Sequence, residues 1–168
     1  MIAPIADLSP TREGLAGLLH RCVLAGASVG FIEPFSLDAA RAFWDGVAPK
    51  VEAGDVLLFV AEAEGAVIGT VQLVIGLPQN QPHRAEVAKL LVDPAHRRKG
   101  IARALMAAVE TAARANGRTL LTLDTRTGDA AEPLYGSLGF VTVGVIPGYC
   151  IDAQTGALDG TTIMYKAL

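Results

Sequence analysis

The stretch Leu90–Glu110, LLVDPAHRRKGIARALMAAVE, carries a cluster of positive charge between two apolar segments. Its basic residues are Arg97, Arg98, Lys99 and Arg103. Apolar residues after Gly100 recur at helical spacing, so the cluster would lie at a helix N-terminus, where free N–H groups and the helix dipole favour an anion such as phosphate. Gly100 and Ala102 are small enough to let the backbone approach a pyrophosphate. A solvated basic turn is the alternative, but the order of strand, small residues and helix favours an anion site.

The composition of the chain indicates what kind of anionic ligand this cluster could bind. A net charge of −3 over 168 residues argues against a general nucleic-acid surface, so we expect a small anionic ligand. No apolar run is long enough to span a membrane, and the start MIAPIADLSP does not resemble a secretory signal. These features predict a soluble, cytoplasmic protein with a single domain over residues 1–168.

The cysteines and histidines show no spacing that is typical of a metal site. They are Cys22, Cys150, His20, His83 and His96. We therefore expect reduced thiols and no metal. Cys150 could suggest an acyl-enzyme route, but no histidine lies near it in sequence, so a packed thiol is the favoured interpretation.

The elements around the basic cluster predict an α/β fold with a mixed sheet in one compact domain. Ser9-Pro10 is typical of a helix start, and Ser36 can cap a second helix. A hairpin and a strand-helix-strand crossover follow, and the last two strands flank a long loop. The predicted strands are Asp55–Ala63, Ala66–Ile75, Ala85–Val92, Thr119–Asp124, Phe140–Ile146 and Thr161–Ala167, and the later helices are Gly100–Asn116 and Ala130–Leu138.

Three segments resemble the GCN5-related N-acetyltransferases (GNAT). Arg97–Ala102, RRKGIA, is similar to the Q/R-x-x-G-x-G/A signature that binds the pyrophosphate of acetyl-CoA in that family. Leu90–Pro94 resembles the family's strand four, and Leu134–Phe140, LYGSLGF, resembles its L-Y-x-x-x-G-F segment. Further segments resemble the tabtoxin-resistance acetyltransferases in particular: GASVGF from Gly26, RAEVAKLLV from Arg84, LLTLDT from Leu120 and PGYC from Pro147.

The resemblance implies a sheet that is splayed between strands four and five, with acetyl-CoA in the opening as cosubstrate. Backbone groups of Leu90, Leu91 and Val92 would pair with pantetheine and could stabilise charge on the thioester oxygen. The remaining cofactor-binding residues that it implies are Arg97, Arg98, Lys99, Gly100, Ile101, Ala102 and Arg103. Gly128 departs from the family pattern, which often has asparagine there, so one side-chain contact to pantetheine is in doubt.

Three residues are expected to carry the chemistry of acyl transfer to an amine. Tyr135 is the candidate general acid, because a phenol stays protonated at neutral pH. Glu86 and Asp124 are candidate bases, acting directly or through water, and Glu86 ranks first. The alternatives are a core tyrosine with its hydroxyl at the rim, solvated carboxylates at strand ends, and for Asp124 a loop cap or a grip on the ammonium group.

The function implied is acetyl transfer from acetyl-CoA to the amine of a small molecule in a ternary complex, and an amino-acid-like toxin or antibiotic is one candidate acceptor. Helices one and two and the loop Gly26–Pro34 would wall the acceptor pocket, with the loop Pro147–Gly160 opposite. A noncatalytic acyl-CoA-binding sensor is the alternative function. Neither nucleic acid nor membrane is an expected partner, and a homodimer through the final strands or an exposed sheet edge is a further expectation from the resemblance.

Overall fold

The computed structural model describes residues 2–168, and its centre is a seven-stranded sheet. The strands are β1 (Ile2–Ile5), β2 (Val56–Ala63), β3 (Ala66–Val74), β4 (Arg84–Val92), β5 (Leu120–Arg126), β6 (Val141–Ile151) and β7 (Leu158–Ala167). The helices are α1 (Arg12–Leu24), α2 (Leu37–Glu52), α3 (Ile101–Ala115) and α4 (Ala131–Ser137), and a 3₁₀ turn covers Pro94–His96. The predicted single-domain α/β fold is confirmed.

The strands lie in the order β1-β2-β3-β4-β5-β7-β6. Only β4 and β5 run parallel, and every other neighbouring pair is antiparallel. Helix α3 connects the parallel pair, as a parallel connection requires a crossover. The predicted crossover and the predicted hairpin of β2 and β3 are both present.

Two apolar cores lie on opposite faces of the sheet. Helices α1 and α2 pack on one face, with Trp44 and Leu91 in that core, and helix α3 packs on the other face with Leu105 and Leu121. Gly69 in β3 allows α3 to approach the sheet, because a Cβ atom there would lie 3.0 Å from Ile101 Cγ2 and 3.1 Å from Leu105 Cδ1. The N-terminus of α3 is therefore held close against the middle of the sheet.

The first two helices begin differently. The Ser36 side chain accepts a hydrogen bond of 3.0 Å from the Ala39 N–H and caps α2, as predicted. The prediction of a cap at Ser9 is wrong, because α1 begins at Arg12 with Thr11 at its N-cap position. The Ser9 N–H instead donates to Asp7 Oδ1 at 2.8 Å, so the segment before Thr11 forms a separate turn.

The final strand pair is longer than predicted. Strand β6 continues through Pro147 to Ile151, and β7 already begins at Leu158, so the predicted loop Pro147–Gly160 shrinks to a turn over residues 152–157. This turn contacts the loop Gly26–Pro34, since the Glu33 N–H donates to the Ala153 carbonyl at 2.9 Å. Strand β1 was not predicted at all. Within residues 2–168, no helix is long and apolar enough to cross a membrane.

Candidate active site

The parallel strands β4 and β5 separate halfway along their length. Their pairing covers Arg84 with Leu120, Ala85 with Leu121 and Glu86 with Thr122, and stops there. Strand β4 nevertheless continues to Val92, and β5 continues to Arg126 with β7 as its partner. The edge of β4 from residue 87 to residue 92 is thus open toward β5, and its backbone groups can pair with an extended ligand.

A bulge at Lys89 and Leu90 changes which side chains face each core. Gln72 pairs with Ala88, and Thr70 pairs with Leu91. Between these pairs, Lys89 and Leu90 of β4 lie opposite the single residue Val71 of β3. Lys89 has a positive φ of 52°, as expected for an irregular strand residue. Within the bulge Leu90 packs in the α3 core, and after it Leu91 packs in the core of α1 and α2. The bulge lies at the open edge, so it shapes the opening directly.

The N-terminus of α3 has the features of an anion site. Gly100 occupies the N-cap position with a φ of 81°, and no side chain caps the helix. Its first N–H groups therefore remain available for a ligand. Arg98 and Lys99 are exposed beside this helix end, and a positive φ of 64° at Arg98 turns the chain there.

The other predicted cofactor-binding residues have additional contacts within the protein. Arg97 Nε donates to the Val92 carbonyl at 3.5 Å, which connects the basic loop to the end of β4. Arg103 Nη2 donates to Ser137 Oγ at 2.8 Å and links α3 to α4. Ile101 is half-buried against the α3 core, and Ala102 is half-buried beside it. The structure thus places the whole predicted set around one helix end and the open edge of β4.

Asp93 fixes the turn between β4 and the basic loop. Its Oδ1 accepts a hydrogen bond of 2.9 Å from the Ala95 N–H. Its Oδ2 accepts one of 2.8 Å from Arg21 Nε of α1 and lies 2.7 Å from Arg21 Nη2. Burial by itself would raise the pKa of Asp93, but the hydrogen bond from Ala95 and the Arg21 guanidinium together hold that pKa below its usual value. The ionised carboxylate therefore ties the loop to α1.

Tyr135 lies in α4 and is 6% exposed, with its ring 5.7 Å from that of Phe140. It belongs to the α3 core, together with Leu121 and Leu123 of β5. Burial raises the pKa of Tyr135 above its ordinary value, and the negative charges of Asp124 and Asp129 raise it further. The phenol is accordingly protonated throughout the neutral range and can donate a proton.

Glu86 and Asp124 lie on the face of the sheet opposite to Tyr135. Glu86 pairs with Thr122, and Asp124 is two residues further along β5 on the same face. Asp124 does not end its strand, contrary to the prediction, because β5 continues to Arg126. Glu86 Oε2 lies 3.6 Å from Arg84 Nη1, and Asp124 Oδ2 accepts a hydrogen bond of 3.1 Å from Thr161. The two candidate bases thus lie on one face of the sheet, and the candidate acid lies on the other.

Lys89 is a residue of the site that the sequence did not predict. Its Nζ lies 5.7 Å from the centre of the Phe43 ring, and a Cβ atom on Gly30 would lie 3.7 Å from it. Burial lowers the pKa of Lys89, and the charges of Asp124 and Glu86 partly offset this effect. The sequence did contain a signal for Lys89. In a strand that alternates regularly, Lys89 would share one buried face with Val87 and Leu91, where a charged side chain is not expected. Phe43 of α2 is a second residue of this region that the sequence analysis does not single out.

Neither cysteine has the environment of an activated thiol, although Cys22 Sγ lies 3.5 Å from the Val92 carbonyl at the end of β4. Cys22 is buried, and burial raises the pKa of its thiol to about 11, so it is protonated at neutral pH. Cys150 is half-buried, with its Sγ 3.8 Å from Ser28 Oγ. Across residues 2–168, no group of three or more His, Cys, Asp or Glu side chains is placed to hold a metal ion.

A sheet that opens between its parallel strands, next to a helix N-terminus lined with cations, defines a site for an extended ligand with a phosphate group. The comparisons with known proteins agree with this class. The chain belongs to the acetyltransferase (GNAT) family, whose model matches residues 26–140. The GNAT resemblance of the sequence is therefore confirmed, whereas a closer relation to the tabtoxin-resistance enzymes is not.

Two named relatives match about two thirds of the chain. It is 35% identical over 113 residues to an uncharacterized N-acetyltransferase in the hisH-hisA intergenic region of Azospirillum brasilense, covering 66% of each chain. It is 38% identical over 109 residues to human N-acetyltransferase 8, covering 64% of this chain and 48% of the relative. The chain thus spans about half to two thirds of the length of these curated relatives.

Solved structures share the fold over the full length of the chain. Ribosomal-protein-alanine N-acetyltransferase from Brucella melitensis superposes with a TM-score of 0.81 at 22% identity, covering 100% of this chain and 99% of that one. The yncA protein of Salmonella typhimurium, solved with its cofactor acetyl-CoA, gives a TM-score of 0.80 at 21% identity, with coverages of 100% and 93%. At these identities the likeness establishes the fold.

Proposed function

We propose that this protein transfers the acetyl group of acetyl-CoA to the amine of a small molecule. The observation that carries the proposal is the open edge of β4, which leads to the uncapped, cation-lined N-terminus of α3. Both named relatives are N-acetyltransferases, and yncA was solved with acetyl-CoA. Bound in this opening, acetyl-CoA supplies an activated acetyl group as a thioester.

The residues around α3 fit the two ends of this donor. We assign the pyrophosphate to the N–H groups that follow Gly100, with Arg98 and Lys99 at its outer oxygens. Arg97, Ile101, Ala102 and Arg103 complete that site. Leu90, Leu91 and Val92 provide the open backbone edge for pantetheine, and their N–H groups can stabilise negative charge on the thioester oxygen.

The catalytic residues act from the two faces of the opening. Glu86 is the first candidate to accept a proton from the attacking amine, and Asp124 is the second, either directly or through water. Tyr135 donates a proton to the leaving thiolate, and its raised pKa ensures that the phenol still carries this proton when the thiolate forms. The amine attacks the thioester directly in a ternary complex, since neither cysteine has the features of an acyl-accepting nucleophile.

The acceptor is assigned only by resemblance. The segments similar to tabtoxin-resistance enzymes favour an amino-acid-like toxin or antibiotic, which would give the protein a role in resistance. Helices α1 and α2 and the loop Gly26–Pro34 supply the wall on the face where Glu86 lies. We also propose a cytoplasmic location.

Release of CoA thiol in the presence of acetyl-CoA and a panel of amines tests the proposal. We expect amine-dependent release that falls at least about 100-fold in Tyr135→Phe, in line with the usual contribution of a general acid. Calorimetry with acetyl-CoA should give the same affinity for this variant as for the wild type. Donor binding without turnover of any amine would instead favour the noncatalytic acyl-CoA sensor.

We also propose a homodimer, formed through the edge strand β6. Many of its apolar side chains are exposed, including Val141 at 51% and Val143 at 66%. An exposed edge of this length offers unpaired backbone groups to a second strand. Sedimentation of the wild type as a dimer and of Val143→Lys as a monomer is the expected result, whereas a monomeric wild type would contradict it.

A further inference from the structure

Lys89 projects from the open edge of β4 toward the wall on which an acceptor would bind. The bulge gives β4 one extra residue, and the ammonium group of Lys89 reaches the ring of Phe43 in α2. That ring packs 5.3 Å from the ring of Phe31, which belongs to the loop before α2. Lys89 therefore lies between the proposed acetyl-transfer position and an aromatic wall.

The ammonium group of Lys89 has no ion-pair partner within the described residues 2–168. Glu86 and Asp124 influence it through charge, but Glu86 lies in ion-pair distance of Arg84, and Asp124 is bonded by Thr161. A half-buried ammonium is stabilised by a nearby anion. The structure offers it a ring face in place of an anion, which leaves room for an anionic group of a ligand.

On this face β4 contributes Arg84, Glu86 and Lys89, and β5 contributes Asp124, so these four charges balance. Arg126, two residues beyond Asp124, has carboxylate partners of its own in Asp129, Asp152 and Asp159. An acceptor that is only a cationic amine would add a net positive charge to this half-buried surface. An acceptor with both an ammonium and a carboxylate would add none, and each of its charged groups would find an opposite charge.

We propose that Lys89 determines acceptor specificity by binding a carboxylate of the acceptor, so that the substrates are amines that also carry this group. The inference rests on the proposed acetyltransferase function. The acceptor ammonium lies toward Glu86 and Asp124, where it loses its proton, and its carboxylate lies toward Lys89 Nζ. The apolar remainder of the acceptor packs against Phe31 and Phe43. Simple monoamines and polyamines are poor acceptors because they leave Lys89 unpaired and add uncompensated charge.

The test compares each member of a panel of L-amino acids with its own carboxamide, in which the carboxylate is replaced at nearly constant shape. CoA release is measured with wild type, Lys89→Gln, Lys89→Arg and the control Lys50→Gln, whose lysine is exposed at the end of α2. For the amino acids that are the best acceptors, wild-type kcat/KM should exceed that of the matching carboxamide by about tenfold or more, as expected for one charge-assisted contact. The amine of the carboxamide is less basic than that of the amino acid, so a larger fraction of it is unprotonated at neutral pH. This difference favours the carboxamide, so a preference for the amino acid cannot arise from it.

In Lys89→Gln the preference for the amino acid should disappear, mainly through a higher KM for the amino acid. Turnover of the carboxamide should stay within about threefold of wild type. Lys89→Arg should restore part of the preference, and Lys50→Gln should retain all of it. An equal loss on acids and amides would overturn the inference, because Lys89 would then act only on the fold. Wild-type preference for amides, or normal acetyl-CoA binding without turnover of any acid, would also overturn it. Absent acetyl-CoA binding would instead mark the failure of the proposed function itself.

Discussion

Alanine substitutions at two glycines, one at each end of α3, can distinguish an effect on acetyl-CoA binding from an effect of backbone strain. Gly100 precedes the helix with a φ of 81°, and Gly117 follows it with a φ of 68°. A Cβ atom at either position would meet no atom within 4 Å. Alanine should thus fit sterically at both positions and incur the same left-handed backbone cost, about 1–2 kcal/mol. For a chain of this length, each kcal/mol corresponds to a decrease in Tm of about 2–4 °C.

Only the alanine at Gly100 should affect the donor. Its methyl group would enter the space where the pyrophosphate approaches the N–H groups of α3, and each lost hydrogen bond to a charged group costs about 1.5–3 kcal/mol. We therefore expect Gly100→Ala to weaken acetyl-CoA binding by roughly tenfold to 100-fold, because each 1.4 kcal/mol is a factor of ten. Gly117→Ala should bind acetyl-CoA like the wild type.

Isothermal titration with acetyl-CoA and thermal unfolding of both variants provide the two measurements. Similar losses of Tm together with a selective loss of affinity in Gly100→Ala are the expected result. Equal affinities for acetyl-CoA in the two variants would refute the assignment of the pyrophosphate to the N-terminus of α3. A much larger loss of stability at one glycine would refute the equal-strain argument instead.

Four further substitutions test the catalytic roles and the ion pair at Asp93. Tyr135→Phe should lower kcat by about 10²–10⁴ with little change in Tm, since the buried ring is retained; a kcat within threefold of wild type would rule out the acid role. Glu86→Gln should lower kcat/KM at neutral pH more than Asp124→Asn does, and the loss should diminish at alkaline pH as free amine becomes abundant; the reverse ranking would make Asp124 the base. Asp93→Asn should lower the free energy of unfolding by about 1–3 kcal/mol at pH 7, because it weakens the pair with Arg21. Because the pKa of Asp93 is lowered in the fold, this stabilisation is present above the unfolded pKa of about 3.9 and is lost as pH falls through the folded value, so urea unfolding of the variant and of wild type should converge at low pH. A deficit that stays constant down to pH 2 would contradict the ionic origin.

The sequence predicted the elements that depend on local patterns. The helical spacing after Gly100 and the β-rich segments around Glu64-Gly65 placed α3 and the hairpin within a residue or two. The basic loop before α3 was predictable because small and basic residues stand next to each other in the chain. Tyr135 and Glu86 required the family resemblance, since neither is distinguished by its neighbours alone.

Features that depend on pairing between strands were missed. The bulge at Lys89 exists because β4 must align with β3 on both sides of Val71, and nothing in the β4 sequence alone fixes that register. Strand β1 is short and lies at the sheet edge, where only pairing with β2 defines it. Pro147 indicated a loop, but β6 is an edge strand and tolerates a residue without an N–H group.

A crystal structure of the protein with acetyl-CoA tests the central claim most directly. We expect the pyrophosphate within hydrogen-bonding distance of the N–H groups that follow Gly100, with pantetheine along Leu90–Val92 and the thioester between Glu86 and Tyr135. The donor bound at any other surface, with the gap between β4 and β5 left empty, would contradict it.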